Sequence, residues 1–396
     1  MKKSNLKLYQ AQSELHSNEA VVNAHRDLFA ALDRFFNVNT VPVAELKGQI
    51  GRAFLFVATG GVEESVREAI ETASLSMVYL VADGLQNSLA ASMEIAAWLG
   101  SKGIDAKIIH GNPDEMTIEL RKIIGRGALD GCRVGLVGGK SGWLISSDID
   151  FKAVTDKYGI EFVTVGLDEI IEEYHRSEPA VVEGIEKLAR VEPTEEDLQK
   201  ALRLTAAVET VVTRYDLDAF TLKCFDLLEP LGTTGCLALS ILNAKGIPAG
   251  CEGDVPSLLT MLLARRVANA DAFMANPSRI DSVNNKIIFA HCTLPFAMAD
   301  TNILRSHFES GIGVALQGVL PIGPITIVKW WGPEMNHHFI SGGHLLANHD
   351  NPSMCRTQVT LELDENVDYF LKHPLGNHHV ILLGNHTAAL NRFFAS

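Results

Sequence analysis

Short apolar runs alternate with helix-like stretches through the first half of the chain, and this alternation restricts the possible folds more than any other feature. Residues 53–58 are continuously apolar and end at the turn Thr59-Gly60-Gly61. Residues 62–73 then have the apolar spacing of a helix. Strands that alternate with helices form parallel sheets with crossovers, so the pattern predicts an α/β fold. It continues through predicted strands 76–82, 106–109, 133–137 and 161–165 and predicted helices 87–102, 113–124, 152–158 and 167–175.

The last third of the chain has a different composition. Ten of the fourteen histidines follow residue 290, and none lies between His175 and His291. Turns rather than helices separate its apolar runs, which predicts strands at 287–291, 311–317, 325–330, 357–363 and 379–383 and a helix at 387–394.

These patterns predict three domains. Residues 1–130 and 131–250 are expected to be α/β domains with parallel sheets, and residues 251–396 a mixed, β-rich domain that completes the active site. Residues 1–45 are expected to be a polar lead-in with one helix, and the charged residues 178–215 a helical connection.

Charge and cysteine content exclude several classes of partner. The net charge of −14 argues against nucleic acid or an anionic membrane surface. No apolar run is long enough to span a bilayer, and the first ten residues are polar, unlike a secretion signal. The six cysteines include no CxxC pair, so we expect reduced thiols and a cytoplasmic location.

Two acids stand close together in the stretch Ala249-Gly250-Cys251-Glu252-Gly253-Asp254, just before an apolar segment that Pro256 opens. A carboxylate at the edge of the interior costs free energy unless a cation or hydrogen bonds compensate it. Asp254 could simply cap the helix that follows. That role does not suit Glu252, which is therefore the stronger candidate for a functional acid.

Late histidines could meet these acids at one divalent ion. Imidazole is a common metal ligand, and carboxylates supply oxygen donors. Glu252 and Asp254 could be joined by His291 and by one of the adjacent residues His378 and His379. Side chains alternate between the faces of a strand, so only one of that pair can point to the ion, and we favour His379. Nitrogen and oxygen ligands suit Mn²⁺, Fe²⁺ or Zn²⁺, whereas a thiolate from Cys292 would favour softer metals.

Other polar residues could contact a polyol. Lys223 lies in a segment that mixes polar and apolar residues, which is typical of a pocket wall. Arg305, His307 and Glu309 would share one face of an extended strand. They could form hydrogen bonds to hydroxyl groups there, or they could form a solvated face.

Eight segments together resemble the L-fucose isomerase/L-arabinose isomerase superfamily, in its shorter fucose isomerase-like branch. They span most of the last two thirds of the chain, whereas the first third matches only in its α/β pattern. They are Gly-Trp-Leu-Ile-Ser-Ser (142–147), Thr-Leu-Lys-Cys-Phe-Asp (221–226), Thr-Thr-Gly-Cys (233–236), Ala-Gly-Cys-Glu-Gly-Asp (249–254), Phe-Ala-His-Cys-Thr-Leu-Pro (289–295), Ser-His-Phe-Glu-Ser-Gly (306–311), Met-Cys-Arg-Thr-Gln (354–358) and Asn-His-His-Val (377–380).

The resemblance implies two Rossmann-like domains and a C-terminal domain, assembled as a trimer or hexamer, with the active site in a cleft. It implies the interconversion of an aldose and a ketose. In this family Mn²⁺ holds the carbonyl and a neighbouring hydroxyl oxygen of the sugar. An acid/base pair moves a proton between adjacent carbons through an enediol.

Carried over residue by residue, the resemblance makes Glu252 a metal ligand that also acts as acid or base, and His379 the late histidine ligand. The second carboxylate of the family is replaced by His291-Cys292. His291 is therefore the candidate for the remaining ligand and for the second catalytic group. The substrate is expected to be a modified or phosphorylated sugar rather than fucose or arabinose. Candidate substrate contacts within the matching segments are Trp143, Lys223, His307, Arg356 and His378.

Two other functions fit the same residues. An enzyme acting at a carbon–carbon bond, or an epimerase, could use a buried lysine such as Lys223 to form a Schiff base. A non-catalytic sugar-binding protein would also place α/β domains around a cleft.

Overall fold

Two compact units, Met1–Gly125 and Arg126–Ser396, make up the chain in its computed structural model, which describes residues 4–395. Parallel sheets with helices occur in both units, and the second unit also contains a closed antiparallel barrel. The mixed α/β class with a β-rich final part is therefore confirmed. Within the described residues, the structure contains no helix with the length and apolar character needed to cross a membrane.

The first unit is a parallel sheet with the strand order β2-β1-β3-β4-β5. Its strands are β1 (Ser4–Ala11), β2 (Phe36–Pro42), β3 (Ile50–Val57), β4 (Ser74–Val81) and β5 (Asp105–Ile109). Its helices are α1 (Asn18–Ala24), α2 (Arg26–Asp33), α3 (Glu63–Glu71), α4 (Ser88–Ser101) and α5 (Pro113–Gly125). Separate apolar clusters cover the sheet, one containing Leu55 and Leu80 and the other Leu8 and Phe56.

The expected polar lead-in over residues 1–45 is wrong for the described part of that range. Residues 4–11 and 36–42 are paired parallel strands. Polar residues occupy alternate positions of β1, but Leu6 and Leu8 between them are fully buried. The sequence of β1 therefore has the alternation of buried and exposed residues that is typical of a strand with one buried face. Its many polar residues led to the wrong prediction of a lead-in.

The second unit begins with a parallel sheet of order β10-β9-β6-β7. Its strands are β6 (Arg133–Val137), β7 (Glu161–Val165), β9 (Ala219–Leu222) and β10 (Ala249–Gly250). The helices are α6 (Phe151–Tyr158), α7 (Leu167–Arg176), α8 (Glu195–Arg214), α9 (Leu228–Leu231), α10 (Cys236–Ala244) and α11 (Val255–Leu263). The helix expected across residues 178–215 begins only at Glu195, where Thr194 and Asp197 form a capping box.

The barrel has the strand order β11-β12-β17-β16-β15-β18. Its strands are β11 (Phe273–Asp281), β12 (Lys286–His291), β15 (Gly323–Trp331), β16 (His337–His349), β17 (Thr357–Leu363) and β18 (His379–Leu383). A small sheet joins β8 (Ala189–Arg190), β13 (Thr301–Arg305) and β14 (Ala315–Val319). The last helices are α12 (Tyr369–Lys372) and α13 (Thr387–Ala395).

One hydrophobic core joins the parallel sheet of the second unit to the barrel. It contains Phe220 of β9, Leu258 of α11 and Val380 of β18. The predicted boundary at residue 250 therefore falls inside a single compact unit. This packing places the turn that follows β10 close to strands β12 and β18 of the barrel.

Candidate functional site

The stretch with two acids leaves β10 through an unusual backbone turn. Glu252 has φ +61° and Gly253 has φ +70°. The left-handed conformation is unfavourable for a residue with a side chain, and such positions are common at functional sites. Gly253 is required for a second reason, because a Cβ atom there would lie 2.6 Å from the Ser141 backbone nitrogen. The turn therefore fits closely against the loop that follows β6.

Asp254 is fully buried and has several hydrogen-bond partners. It caps α11 by accepting a hydrogen bond from the Ser257 backbone nitrogen at 3.0 Å. Its other oxygen accepts from the Ser257 hydroxyl at 2.7 Å and from His378 Nδ1 at 2.9 Å. The capping interpretation is thus confirmed, but Asp254 also orients a histidine from the far end of the chain.

Glu252 lies between two imidazoles. Its Oε1 atom is 3.7 Å from His291 Nε2 and 3.7 Å from His378 Nε2. Its Oε2 atom lies 3.4 Å from the indole nitrogen of Trp143, which donates to it. On the far side of His291, the Nδ1 atom is 2.8 Å from the Thr293 hydroxyl. The structure therefore brings together Glu252, His291, His378 and Trp143 among the residues predicted from sequence.

The electrostatics of this group favour a positive charge. Burial alone would raise the pKa of Glu252, but the neighbouring imidazoles of His291 and His378 outweigh burial and hold that pKa well below its usual range. Burial would likewise lower the pKa of His378, but its hydrogen bond to Asp254 and the nearby Glu252 raise it instead. Burial would also raise the pKa of Asp254, but Lys329 and His378 outweigh burial and hold that pKa well below its usual range. Both carboxylates are thus ionised at neutral pH, and the space between Glu252 and the imidazoles attracts a cation or a proton.

The distances from Glu252 to the two imidazoles suit ligands of a divalent metal ion. The Nε2 atom of His378 is buried and has no hydrogen-bond partner among the described residues. Ligands bonded to one ion at about 2.1 Å lie roughly 3–4 Å apart, which matches the 3.7 Å spacing from Glu252 to each imidazole. The carboxylate of Asp254 behind His378 is the outer partner that metal-binding histidines commonly have. Glu252 and His291 are two of the three ligands that the sequence predicts, and His378 lies beside Glu252 where the sequence predicts His379.

Cys251 is a competing ligand. Its Sγ atom and donor atoms of Glu252 and His291 all lie within 4.8 Å of one another. However, this sulfur is only 3.2 Å from Cys224 Sγ. The contact with Cys224, together with burial, raises the pKa of the Cys251 thiol. A protonated thiol is a poor ligand, so we favour His378 over Cys251 as the third donor.

His379 faces the interior of the barrel, away from Glu252. Neighbouring Ile381 belongs to the core that contains Phe289 and Leu361, and His379 lies on the same face of β18 because alternate residues share a face. Its Nδ1 atom donates to the Asn377 carbonyl oxygen at 3.1 Å, and its Nε2 atom lies 3.0 Å from the Tyr369 hydroxyl. Both ring nitrogens are therefore engaged within the protein. The prediction that only one of the two histidines faces Glu252 is confirmed. The choice of His379 is wrong, because the register of β18 places His378 on the side of Glu252.

This burial predicts a pH dependence of stability. Burial, with a smaller effect of Lys329, lowers the pKa of His379 from its ordinary value of 6.5 to about 3. The unfolded chain therefore binds a proton between these values that the folded chain does not, and acid destabilises the fold. We expect His379 to contribute a loss of about 1.4 kcal/mol in the free energy of unfolding per pH unit below about 6.5. Urea unfolding of wild type and His379→Gln at several pH values should show a shallower dependence in the variant, and equal slopes would contradict this.

An aromatic wall stands beside Glu252. The ring of Trp143 packs edge-on against Phe225 at 5.4 Å, and Phe225 packs edge-on against His307 at 5.5 Å. Trp143 is about half exposed, at 47%. His307 Nδ1 accepts a hydrogen bond from the Ser310 backbone nitrogen at 3.3 Å, so its hydrogen lies on Nε2. Burial lowers the pKa of His307, which keeps this imidazole neutral.

His307 lies in a turn, whereas the sequence predicts an extended strand through Arg305, His307 and Glu309. Strand β13 ends at Arg305, so Arg305, His307 and Glu309 do not share a strand face as predicted. Arg305 instead pairs with Glu192, and its hydrogen bonds lower the pKa of that carboxyl to about 2. Arg356 holds the turn, since its Nε atom donates to the Ser306 carbonyl oxygen at 2.7 Å.

Lys223 lies at the carboxyl end of β9, on the same edge of the sheet as Glu252. Its ammonium group is paired with Asp226 at 2.7 Å, and its side chain is one-quarter exposed. A lysine that forms a Schiff base attacks the sugar carbonyl with its nitrogen, whereas the nitrogen of Lys223 is engaged by Asp226. The pairing therefore favours a role for Lys223 in binding over one as a nucleophile.

Sequence reasoning missed two residues near the site, Phe225 and Lys329. It considered Asp254 as a helix cap or as a metal ligand beside Glu252, but not as the partner of His378. Phe225 follows Lys223 and Cys224 in a segment that was recognised as a pocket wall. Nothing in the local sequence indicates that Lys329, within an apolar strand, reaches Ser257.

Two curated proteins are similar to part of this chain. No family model matches the chain. Two curated proteins named sulfoquinovose isomerase, from Priestia aryabhattai and from Priestia megaterium (strain ATCC 12872 / QMB1551), are each 24% identical to it over 245 residues. The matched region covers 56% of this chain and 53% of each relative, so the chain spans about half the length of the curated relatives it matches. The chain is thus distantly similar to sugar isomerases.

Proposed function

We propose that this protein is a divalent-metal-dependent isomerase that interconverts an aldose and a ketose, within the fucose/arabinose isomerase-like group. The observation that carries the proposal is Glu252 between His291 and His378, with the His378 Nε2 atom buried and without a partner. The similarity to sulfoquinovose isomerases supports the reaction class. It also makes sulfoquinovose, a sugar with an anionic substituent, the first substrate to test.

Glu252, His291 and His378 would hold the metal, with Mn²⁺ the first ion to test. A bound divalent ion polarises the sugar carbonyl and stabilises the negative oxygen of the enediolate. Thr293 and Asp254 hold the two imidazoles from behind. The sequence predicts two roles for His291, as metal ligand and as proton carrier. Its Nδ1 atom contacts Thr293, so only Nε2 is available on the side of Glu252. We therefore assign His291 to the ion alone.

Proton transfer then falls to Glu252 and His307. The Oε2 atom of Glu252 contacts Trp143 rather than the imidazoles, and we assign it to take the proton from the carbon next to the carbonyl. The carboxyl group then delivers a proton to the former carbonyl carbon, after exchange with solvent in part of the turnovers. Neutral His307 carries a hydrogen on Nε2. It can donate this hydrogen to the carbonyl oxygen and take up the proton of the neighbouring hydroxyl group, so the imidazole is neutral again at the end.

The aromatic wall and Lys223 would orient the sugar. The exposed face of Trp143 can pack against the carbon–hydrogen face of a sugar ring or chain. Lys223 at the sheet edge offers a positive charge to an anionic substituent if Asp226 releases it. Arg356 supports the turn of His307 and would act indirectly.

The test is isomerisation of sulfoquinovose in deuterated water, followed by NMR. We expect a ketose product to appear with Mn²⁺ present, together with deuterium at the carbon next to the carbonyl, because an enediol exchanges that proton with solvent. Treatment with a chelator should lower the rate at least about 100-fold, and added Mn²⁺ should restore it.

Two outcomes would contradict the proposal. Metal binding without turnover of sulfoquinovose or of a panel of aldoses would favour the sugar-binding alternative. A covalent adduct on Lys223 after borohydride reduction with a sugar would favour an enzyme that acts at a carbon–carbon bond.

A further inference from the structure

A carboxylate that the proposed reaction does not use contacts the residue before His307. Glu192 is in the loop between β8 and α8, and its Oε2 atom accepts a hydrogen bond from the Ser306 backbone nitrogen at 3.1 Å. Arg305 donates to both oxygens of this carboxylate, from Nε at 2.9 and 2.8 Å and from Nη2 at 2.6 Å. Hydrogen bonds between ionised partners are strong and directional. Arg305 therefore holds the carboxylate in one orientation, from which it can hold Ser306.

Ser306 is held at each of its polar groups. Besides the backbone nitrogen, its carbonyl oxygen accepts from Arg356 Nε at 2.7 Å, and its hydroxyl oxygen accepts from Arg356 Nη2 at 3.0 Å. Ser306 is also buried, at 5% exposure. A buried backbone N–H without a partner costs free energy, so loss of Glu192 would force this residue to move or to admit water. The position of Ser306 thus depends on Glu192.

The turn that follows Ser306 is closed by its own hydrogen bonds. The His307 backbone nitrogen donates to the Ile312 carbonyl oxygen at 3.1 Å, and the Gly311 nitrogen donates to the His307 carbonyl oxygen at 2.9 Å. These bonds fix the shape of the turn, whereas its direction also depends on where the chain enters it, at Ser306. The orientation of the His307 imidazole consequently depends on the contacts of the residue before it.

We infer that Glu192 is a positioning residue, which acts through Ser306 to hold His307 at the aromatic wall of the site. The effect on proton transfer rests on the proposed function, whereas the effect on the position of the imidazole does not. An ion pair that only joined the loop to β13 would affect stability and leave proton transfer unchanged.

Removal of Glu192 should leave the fold intact. Its side chain is 36% exposed, so its loss creates no deep cavity. Arg305 would keep Gln317 and Asp350 as hydrogen-bond partners. The variant Glu192→Ala therefore tests the position of His307 in a folded protein.

A double-mutant cycle of kcat separates the positioning role from a purely structural one. We expect Glu192→Ala to lower kcat about 10–100-fold with the sugar that the wild type isomerises. The KM should stay within about threefold, because His307 acts during proton transfer. In an enzyme that already carries His307→Gln, the same change should lower kcat by less than about twofold. The control is Glu195→Ala, at an exposed residue that pairs with Arg190 at 2.6 Å, and it should have wild-type kcat.

A second measurement does not depend on catalysis. Diethyl pyrocarbonate modifies unprotonated imidazole nitrogens, and mass spectrometry of the peptide that contains His307 gives its rate of modification. His307 is only 8% exposed in the structure. We expect its rate of modification to rise several-fold in Glu192→Ala and to stay at the wild-type value in Glu195→Ala.

Each outcome decides a different point. Equal losses of kcat with and without His307→Gln, or an unchanged modification rate, would overturn the inference and leave the isomerase proposal standing. Absence of isomerase activity in the wild type would contradict the proposed function, and the modification rates would still test the position of His307. If Glu192→Ala does not fold, Glu192→Asp takes its place, because its shorter side chain cannot reach Arg305 and Ser306 together. Wild-type kcat and modification rate in that variant would also overturn the inference.

Discussion

Glu252→Gln is expected to lower kcat at least about 1,000-fold with the sugar that the wild type isomerises, because the amide cannot take the substrate proton. Glutamine has nearly the same size and can keep the hydrogen bond from Trp143. It loses the negative charge that the imidazoles of His291 and His378 flank. Both proton transfer and metal affinity should therefore fall, and the measurement is steady-state kinetics at saturating Mn²⁺ together with metal content.

The matched control is Glu178→Gln, which makes the same chemical change at an exposed residue that precedes α8. Its kcat should stay at the wild-type level, and the melting temperatures of both variants should lie close to that of the wild type. A Glu252→Gln enzyme with wild-type kcat would remove Glu252 from proton transfer, whatever its effect on metal content.

His378→Gln and His379→Gln should differ sharply in metal binding, although the two residues are adjacent. The change at residue 378 removes the nitrogen that faces Glu252, and we expect it to lower Mn²⁺ affinity at least about 100-fold. The change at residue 379 removes hydrogen bonds to Tyr369 and Asn377 inside the barrel. We therefore expect it to lower stability by roughly 1–3 kcal/mol while the metal affinity stays within a few-fold of wild type.

Isothermal titration of Mn²⁺ into metal-free protein, with urea unfolding in parallel, measures both effects. Loss of metal binding in His379→Gln, with normal binding in His378→Gln, would restore the ligand that the resemblance assigns. Equal loss in both variants, without unfolding, would show that the two side chains act on the ion together.

The periodic elements of the fold were predictable because each carries its own pattern. The strands at 133–137, 161–165, 357–363 and 379–383 have the predicted bounds. Barrel closure was not predictable, because it depends on pairing between strands far apart in sequence, such as β11 with β18. The unexpected strand β16, His337–His349, is rich in histidine and glycine and lacks the apolar alternation that identifies a strand.

The acidic residues of the candidate site could be predicted from the sequence, but the side chains that they contact could be predicted only in part. Glu252 was identifiable because a glutamate between small residues at a strand end has no structural reason to be there. The choice between His378 and His379 depends on which face of β18 meets the parallel sheet, and sequence alone does not determine that. Lys329 was beyond prediction because its partners, Ser257 and Asp254, follow another strand more than 70 positions earlier in the chain.

The contact between His378 and Asp254 joins residues 124 positions apart. The proposed ligands Glu252 and His378 are similarly far apart in the chain, so a nascent chain could bind an ion there only after His378 has been made. Mn²⁺ should consequently bind late in folding. It should add about 4 kcal/mol to the free energy of unfolding when the free ion exceeds its dissociation constant about 1,000-fold. Chelation during refolding would then lower the yield of native protein even before any catalytic assay is performed.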